Sequence, residues 1–219
     1  MSLSIKKIYA EEINKTKILD LNWEDPQVYA EWLAQTFHYA CYSTRIIGLA
    51  GCLFDYSRDD LHLKFLEHAK EEKNHEKVLI VDLKNLGLSL NQFEPSQSAK
   101  ILFQNQYYWI QNVNPVSVYG YFLYLEGLAV EFGPQIYARI QKAHPENAVR
   151  YLKVHVEEDP GHLDGHYEFI NKLSHTEQKQ IEENLIQASF LYRSMLSEIV
   201  QLSAIKKSGG RKLFSEQAA

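Results

Sequence analysis

Three side chains of metal-binding type follow one another at helical spacing in the segment HVEEDPGHLDGH. His155, Asp159 and His162 stand at positions i, i+4 and i+7, so on a continuous helix they share one face. Two imidazoles and a carboxylate can then converge on one ion. The alternative is that Asp159 caps a new helix and binds nothing, because aspartate followed by proline is a frequent pair at a helix start.

A second group of possible ligands lies in the earlier segment EHAKEEKNHEK. In its E-E-x-x-H pattern, the carboxylate of Glu71 or Glu72 reaches the same helix face as the imidazole of His75. Because this segment is rich in lysine, a solvated face with surface ion pairs is the alternative. His68, one turn earlier, could be a ligand, a partner of a ligand or a surface residue, and the last of these is the commonest case.

Single carboxylates on a later helix could complete the site. Glu126 lies within YFLYLEGLAV and Glu131 within VEFGP. A carboxylate among apolar residues is costly to bury unless a positive charge compensates it, and a metal ion would do so. Glu126 has the more apolar surroundings and is therefore the first choice. His166, one turn beyond the first segment's last candidate, is expected beside the ligands or at the surface.

The donor types limit the metal. Imidazoles and carboxylates without a thiolate suit iron or manganese with open coordination positions, which oxygen chemistry requires. They do not suit a closed structural zinc site, which usually contains cysteine.

The elements that must position these residues are helices, since apolar residues recur at helical spacing almost throughout and no alternating strand pattern is present. We predict an all-α bundle with short connections, formed by one domain over residues 1–205 and followed by a basic, disordered tail over residues 206–219. The predicted long helices cover about 26–54, 57–87, 96–112, 115–143, a segment that begins near 145, and 176–205.

Composition fits this prediction and narrows the function. The chain has 219 residues, is 45% hydrophobic and 12% aromatic, and carries a formal charge of −5. Without a basic stripe, nucleic-acid binding is not expected. No signal peptide or membrane-spanning run is apparent, so we expect a cytoplasmic protein that does not bind membranes. The two cysteines, Cys41 and Cys52, are too far apart along one helix to form a disulfide with each other.

The order of these motifs resembles the heme-oxygenase-like di-iron oxidases and oxygenases, including their CADD-like branch, which share a fold with the TenA and PQQ-synthase C proteins. The resemblance covers roughly residues 26–200 and implies a bundle of about seven helices, commonly dimeric, so a homodimer is expected. It also implies two iron ions, with manganese as an alternative. The ligand positions that match the family are Glu71 or Glu72, His75, Glu126 or Glu131, His155, Asp159 and His162.

The resemblance further implies that dioxygen is used to oxidise or cleave a small organic substrate. In the CADD-like branch a tyrosine is itself consumed, as in para-aminobenzoate formation, and Tyr124, close to Glu126, is the candidate here. One departure from the family pattern is Pro160, which lies between two presumed ligands and removes a backbone donor.

Three other functions stay open at this stage. A TenA-type hydrolase needs a nucleophilic cysteine on the fourth helix, where neither cysteine lies. A heme oxygenase needs a histidine on its first helix, and His38 is available, but the later histidines and aspartate would then have no role. A helical interaction protein with a degenerate metal site is the third possibility.

Overall fold

The computed structural model describes residues 2–158 and 160–208, with side chains described for residues 5–157 and 165–208. These residues form α-helices and short 3-10 turns without any strand, which confirms the all-α prediction. The helices are α1 Ser2–Asn14, α2 Pro26–Ala40, α3 Ser43–Cys52, α4 Asp59–Glu71, α5 His75–Asn85, α6 Gln97–Asn112, α7 Tyr119–Ala143, α8 Arg150–Glu158, α9 Pro160–Ile170 and α10 His175–Ser208.

Helix termini follow the capping signals of the sequence. The side chain of Asp25 accepts a hydrogen bond from the amide of Gln27 at 3.0 Å, and Pro26 occupies the first position of α2, where its missing N–H costs nothing. Gly87 follows the end of α5 with φ 77°, the left-handed conformation that glycine adopts without strain. These two termini lie where the sequence predicts them.

Two predicted long helices are each divided in two. The first breaks after Ala40 and the second after Glu71. At the second break Asn74 has φ 73°, and asparagine tolerates this left-handed conformation better than most residues do. The break gives His75 a new helix axis, so the direction of its side chain is no longer set by α4.

The centre of the bundle is the pair α7 and α10. Helix α7 continues through Pro134, next to which the sequence allows a kink, and α10 packs against α7, α6, α2 and α1. Gly120 of α7 lies so close to the α10 backbone that a Cβ atom there would overlap the carbonyl oxygen of Ile181. This close approach fixes the position of α7 and of the carboxylate that it carries into the bundle.

Helix α10 extends three residues beyond the predicted domain boundary at residue 205. Lys206 forms an ion pair with the buried carboxylate of Glu31 at 2.7 Å, and Lys207 pairs with Asp25. These two contacts attach the end of α10 to α2. The rest of the predicted tail, residues 209–219, lies outside the described residues.

None of the helices described between residues 2 and 208 is both long enough and apolar enough to cross a lipid bilayer.

Candidate metal centre

Six side chains from five segments of the bundle form one continuous series of polar and ring contacts. His68 belongs to α4, Glu72 directly follows it, and the others come from α5, α7, α8 and α9. We call this series the histidine–carboxylate cluster, and in order of contact it consists of His166, Glu126, His68, Glu72, His75 and His155.

Glu126 is the centre of the buried half of the cluster. Nε2 of His166 lies 2.6 Å from Oε2 of Glu126, and Nε2 of His68 lies 3.4 Å from Oε1. Only 7% of Glu126 is exposed. Burial alone would raise the pKa of this carboxyl, but the two imidazoles outweigh burial and hold the pKa far below its usual range. Glu126 is therefore an ionised carboxylate held between two imidazoles inside the protein.

Glu72 connects the two halves of the cluster. Its carboxylate lies 3.9 Å from Nε2 of His68 and 3.7 Å from Nδ1 of His75. Burial raises the pKa of Glu72 despite the opposing effect of His68 and His155. The pKa of His68 is raised as well, because the carboxylates of Glu126 and Glu72 outweigh burial. A cation beside Glu72 would stabilise the ionised form of this carboxylate, which burial disfavours.

The opposite end of the cluster is formed by two perpendicular imidazoles. The ring centroids of His75 and His155 are 5.2 Å apart with an interplanar angle of 89°. His155 also packs against Tyr151, one turn earlier on α8, at 4.5 Å between ring centroids. The two imidazoles therefore approach each other from α5 and α8, as ligands on facing helices do in bundle metal sites.

The donor set of this cluster fits iron. Four imidazoles and two carboxylates with no thiolate are the ligand types expected for iron or manganese with open positions. His166 gives a second indication of a missing ligand, since its buried Nδ1 atom has no hydrogen-bond partner among the described side chains. A buried unsatisfied nitrogen is costly, and contact with a water, a metal or an unseen side chain would satisfy it.

Contacts within the cluster are nevertheless pairwise. Among residues 5–157 and 165–208, no three histidine, cysteine, aspartate or glutamate side chains are placed so that they could hold one metal ion together. This statement does not include two predicted ligands, because Asp159 and the side chain of His162 lie outside the described residues. The predicted role of these two residues is therefore unchanged by the structure.

The structure separates the alternatives that the sequence left open. Glu72 faces the cluster, whereas Glu71 is exposed at the end of α4. Glu126 is buried in the cluster, whereas Glu131 is exposed and lies beside the hydroxyl of Tyr9. The ligand predictions for Glu72, His75, Glu126 and His155 thus fall on residues that the fold brings together, and those for Glu71 and Glu131 do not.

Two members of the cluster are not among the ligands predicted from the sequence. His68 is only 7% exposed and His166 only 6%, and both contact Glu126. The available signal was spacing: His68 stands four residues before Glu72, and His166 stands four residues after His162. Each therefore continues a ligand stripe by one helical turn.

A cavity of about 90 Å³ adjoins the cluster. This is room for several water molecules or part of a small organic molecule. All members of the cluster except His166 line it, and its other walls are mainly aromatic and aliphatic, including Trp32, Tyr39, Ile47, Tyr121, Phe122, Leu128, Tyr151 and Tyr192. The cluster therefore forms one polar wall of an otherwise apolar pocket.

Tyr124, the candidate for a consumed side chain, lies away from this cavity. Its hydroxyl is 2.8 Å from that of Thr16, and its ring packs against Tyr192. The residues of the other two enzyme hypotheses are also elsewhere: Nε2 of His38 contacts the carbonyl of Phe93 at 3.0 Å, and neither cysteine lines the cavity.

Asp82 holds the two helices of the perpendicular imidazoles together. Its Oδ2 atom accepts a hydrogen bond from the amide of Tyr151 at 2.8 Å, which joins α5 to the first turn of α8. The side chain is fully buried, and burial raises its pKa to about 6. Asp82 thus positions α8, and through it His155.

We expect the substitution Asp82→Asn to reduce the pH dependence of stability. Because the folded-state pKa lies above the unfolded value of about 3.9, this group favours folding below pH 4, and its contribution is lost as the pH rises toward 6. The free energy of unfolding of the wild type, relative to the variant, should fall by about 3 kcal/mol or less between pH 4 and pH 7. Urea unfolding at several pH values measures this, and a constant difference would contradict the assignment.

Comparisons with known proteins agree with this fold and with the donor set. A family described as iron-containing redox enzymes matches residues 30–193. A comparison with curated protein sequences finds no match.

The similar solved structures have one fold. A domain of unknown function with a heme oxygenase-like fold from Shewanella denitrificans superposes with a TM-score of 0.81 at 16% identity, covering 95% of this chain and 94% of its own. A TenA homologue from Pseudomonas syringae pv. tomato gives a TM-score of 0.76 at 13% identity, covering 91% of this chain and 92% of its own. The predicted heme-oxygenase-like fold is thereby confirmed.

Proposed function

The chain belongs to the family of iron-containing redox enzymes, and from this premise we propose that it is a non-heme di-iron oxidase or oxygenase that uses dioxygen to oxidise or cleave a small organic substrate. The observation that carries the proposal is the histidine–carboxylate cluster in the wall of an apolar cavity. A heme enzyme or a hydrolase would leave this cluster without a role.

The residues that would hold the metal are the four imidazoles and two carboxylates of the cluster, together with the predicted ligands Asp159 and His162. Bound iron would supply the electrons with which dioxygen is reduced while the substrate is oxidised. Manganese suits the same donor atoms, so the identity of the bound metal is to be determined by experiment.

Side chains of the protein position the proposed ligands and the substrate. The contacts with His166 and His68 hold the carboxylate of Glu126 inside the bundle, and its negative charge attracts a cation. Asp82 holds α8 and so orients His155. The aromatic and aliphatic walls exclude water and place an organic substrate beside the cluster.

The proposal predicts dioxygen consumption that depends on cluster histidines. Fe(II)-loaded wild-type protein, freed of unbound iron, should consume dioxygen faster than the same amount of iron in buffer. In His155→Ala this excess rate should be at least about tenfold lower, because loss even of an indirect metal contact costs 10- to 100-fold. His175→Ala is the matched control, since His175 is exposed at the start of α10.

Other outcomes would exclude the proposal. Equal consumption by wild type and His155→Ala would remove the cluster from the chemistry. Consumption that requires added heme and is lost in His38→Ala would favour a heme oxygenase. If wild-type protein binds no metal at all, a helical interaction protein is the remaining function.

A further inference from the structure

The walls of the cavity beside the cluster are acidic and aromatic, and apart from the cluster imidazoles they carry no basic side chain among the described residues. Besides the cluster carboxylates, Glu76 in the first turn of α5 lines it, and among the described lining residues there is no lysine or arginine. Residues 158–164, whose side chains are not all described, contain neither of these residue types. A substrate carboxylate or phosphate distant from the metals would therefore find no cationic partner in these walls.

Glu76 differs from the cluster carboxylates because it has no imidazole partner among the described residues. Arg45, which together with Glu76 acts electrostatically on the Cys41 thiol, is exposed and donates a hydrogen bond to the carbonyl of Cys41 at 2.7 Å, and it does not line the cavity. A partly buried carboxylate in a pocket wall is a site for a cationic group of a ligand.

Tyr121 supplies a second polar group in the same wall. Its side chain is only 1% exposed, it lines the cavity, and its hydroxyl has no hydrogen-bond partner among the described residues. Burial raises the pKa of Tyr121, with smaller contributions from Glu72 and Cys41, so the hydroxyl keeps its proton. An unpaired buried hydroxyl is costly, and a polar ligand atom would satisfy it.

Aromatic faces add to the preference for a positive charge. Trp32, Tyr39, Tyr151 and Tyr192 all contribute rings to the cavity. The negative face of an aromatic ring attracts a desolvated ammonium group, whereas it repels a carboxylate. The apolar parts of the same rings can pack against the body of the ligand.

We propose that the cavity binds a small primary amine with an apolar body, whose ammonium group pairs with Glu76 and whose nitrogen contacts the hydroxyl of Tyr121. This names the substrate class of the proposed oxidase and so rests on that function, but it concerns binding and can be tested without turnover. The apolar body lies against the aromatic and aliphatic walls, beside the cluster.

The test compares three probes with the same phenyl body and different polar groups: phenethylamine, phenethyl alcohol and phenylpropionate. Their dissociation constants are measured by calorimetry without oxygen, on metal-loaded protein, in wild type and three variants. In Glu76→Gln the amine should bind at least about tenfold more weakly while the alcohol is unaffected. In Tyr121→Phe both the amine and the alcohol should weaken. Glu67→Gln, an exposed carboxylate of α4 paired with Lys70, is the control and should bind as wild type does.

Wild-type protein is expected to bind the amine more tightly than the alcohol and the alcohol more tightly than the carboxylate. Equal affinity for the three probes, a preference for phenylpropionate, or no binding of any probe would overturn the proposal. So would an amine preference that persists in Glu76→Gln. Failure of the oxidase proposal would appear separately, as absence of bound metal, and in that case the same titrations on metal-free protein still decide the amine preference.

Discussion

Glu126→Gln is expected to lower the affinity for Fe(II) by at least about 100-fold, more than the loss of an indirect metal contact does. The substitution keeps the size of the side chain but removes the negative charge that faces two imidazoles. It would therefore remove both the charged oxygen that we propose as an iron ligand and the carboxylate that contacts His166 and His68. Anaerobic Fe(II) titration of metal-free protein measures the effect.

The same substitution should also destabilise the metal-free protein by about 1–3 kcal/mol, because the buried imidazoles of His166 and His68 lose a charged hydrogen-bond acceptor. Glu131→Gln is the matched control, since Glu131 lies on the same helix but is exposed. If Glu131→Gln lost iron and Glu126→Gln retained it, the assignment of the carboxylate would be reversed.

Gly120→Ala is expected to destabilise the fold by about 3 kcal/mol or more, at the upper end of overpacking effects. The new Cβ would overlap the carbonyl oxygen of Ile181 and lie 2.5 Å from the amide nitrogen of Leu185. Both atoms belong to the backbone of α10, which cannot move aside as a side chain can. For a chain of this length the melting temperature should fall by about 6 °C or more.

Gly48→Ala provides the control for that prediction. Gly48 also lies in the interior of a helix, but a Cβ there would have nothing within 4 Å. Alanine should therefore stabilise the protein by about 0.5–1 kcal/mol through its higher helix propensity. Similar melting temperatures for the two variants would show that α7 and α10 are not as closely packed as the structure indicates.

The sequence predicts those features that depend on local chemistry. The N-cap at Asp25, the glycine after α5 and the helical periodicity all depend on residues within one or two turns of each other. Glu126 was also predictable, because a lone carboxylate in an apolar segment implies a buried partner.

The rest depends on how distant helices pack. On one continuous helix Glu71 and Glu72 are equivalent partners for His75, and the choice between them follows from the break near Asn74, which no glycine or proline marks. His68 and His166 are buried because α7 places Glu126 between them, and spacing along a single helix carries no information about that contact.

The central claim is that the histidine–carboxylate cluster binds iron. The measurement that tests it most directly is the number of Fe(II) ions bound per chain when metal-free wild-type protein is titrated without oxygen. The account predicts two, with binding lost in Glu126→Gln. No bound iron in the wild type, or equal binding in the variant, would contradict it.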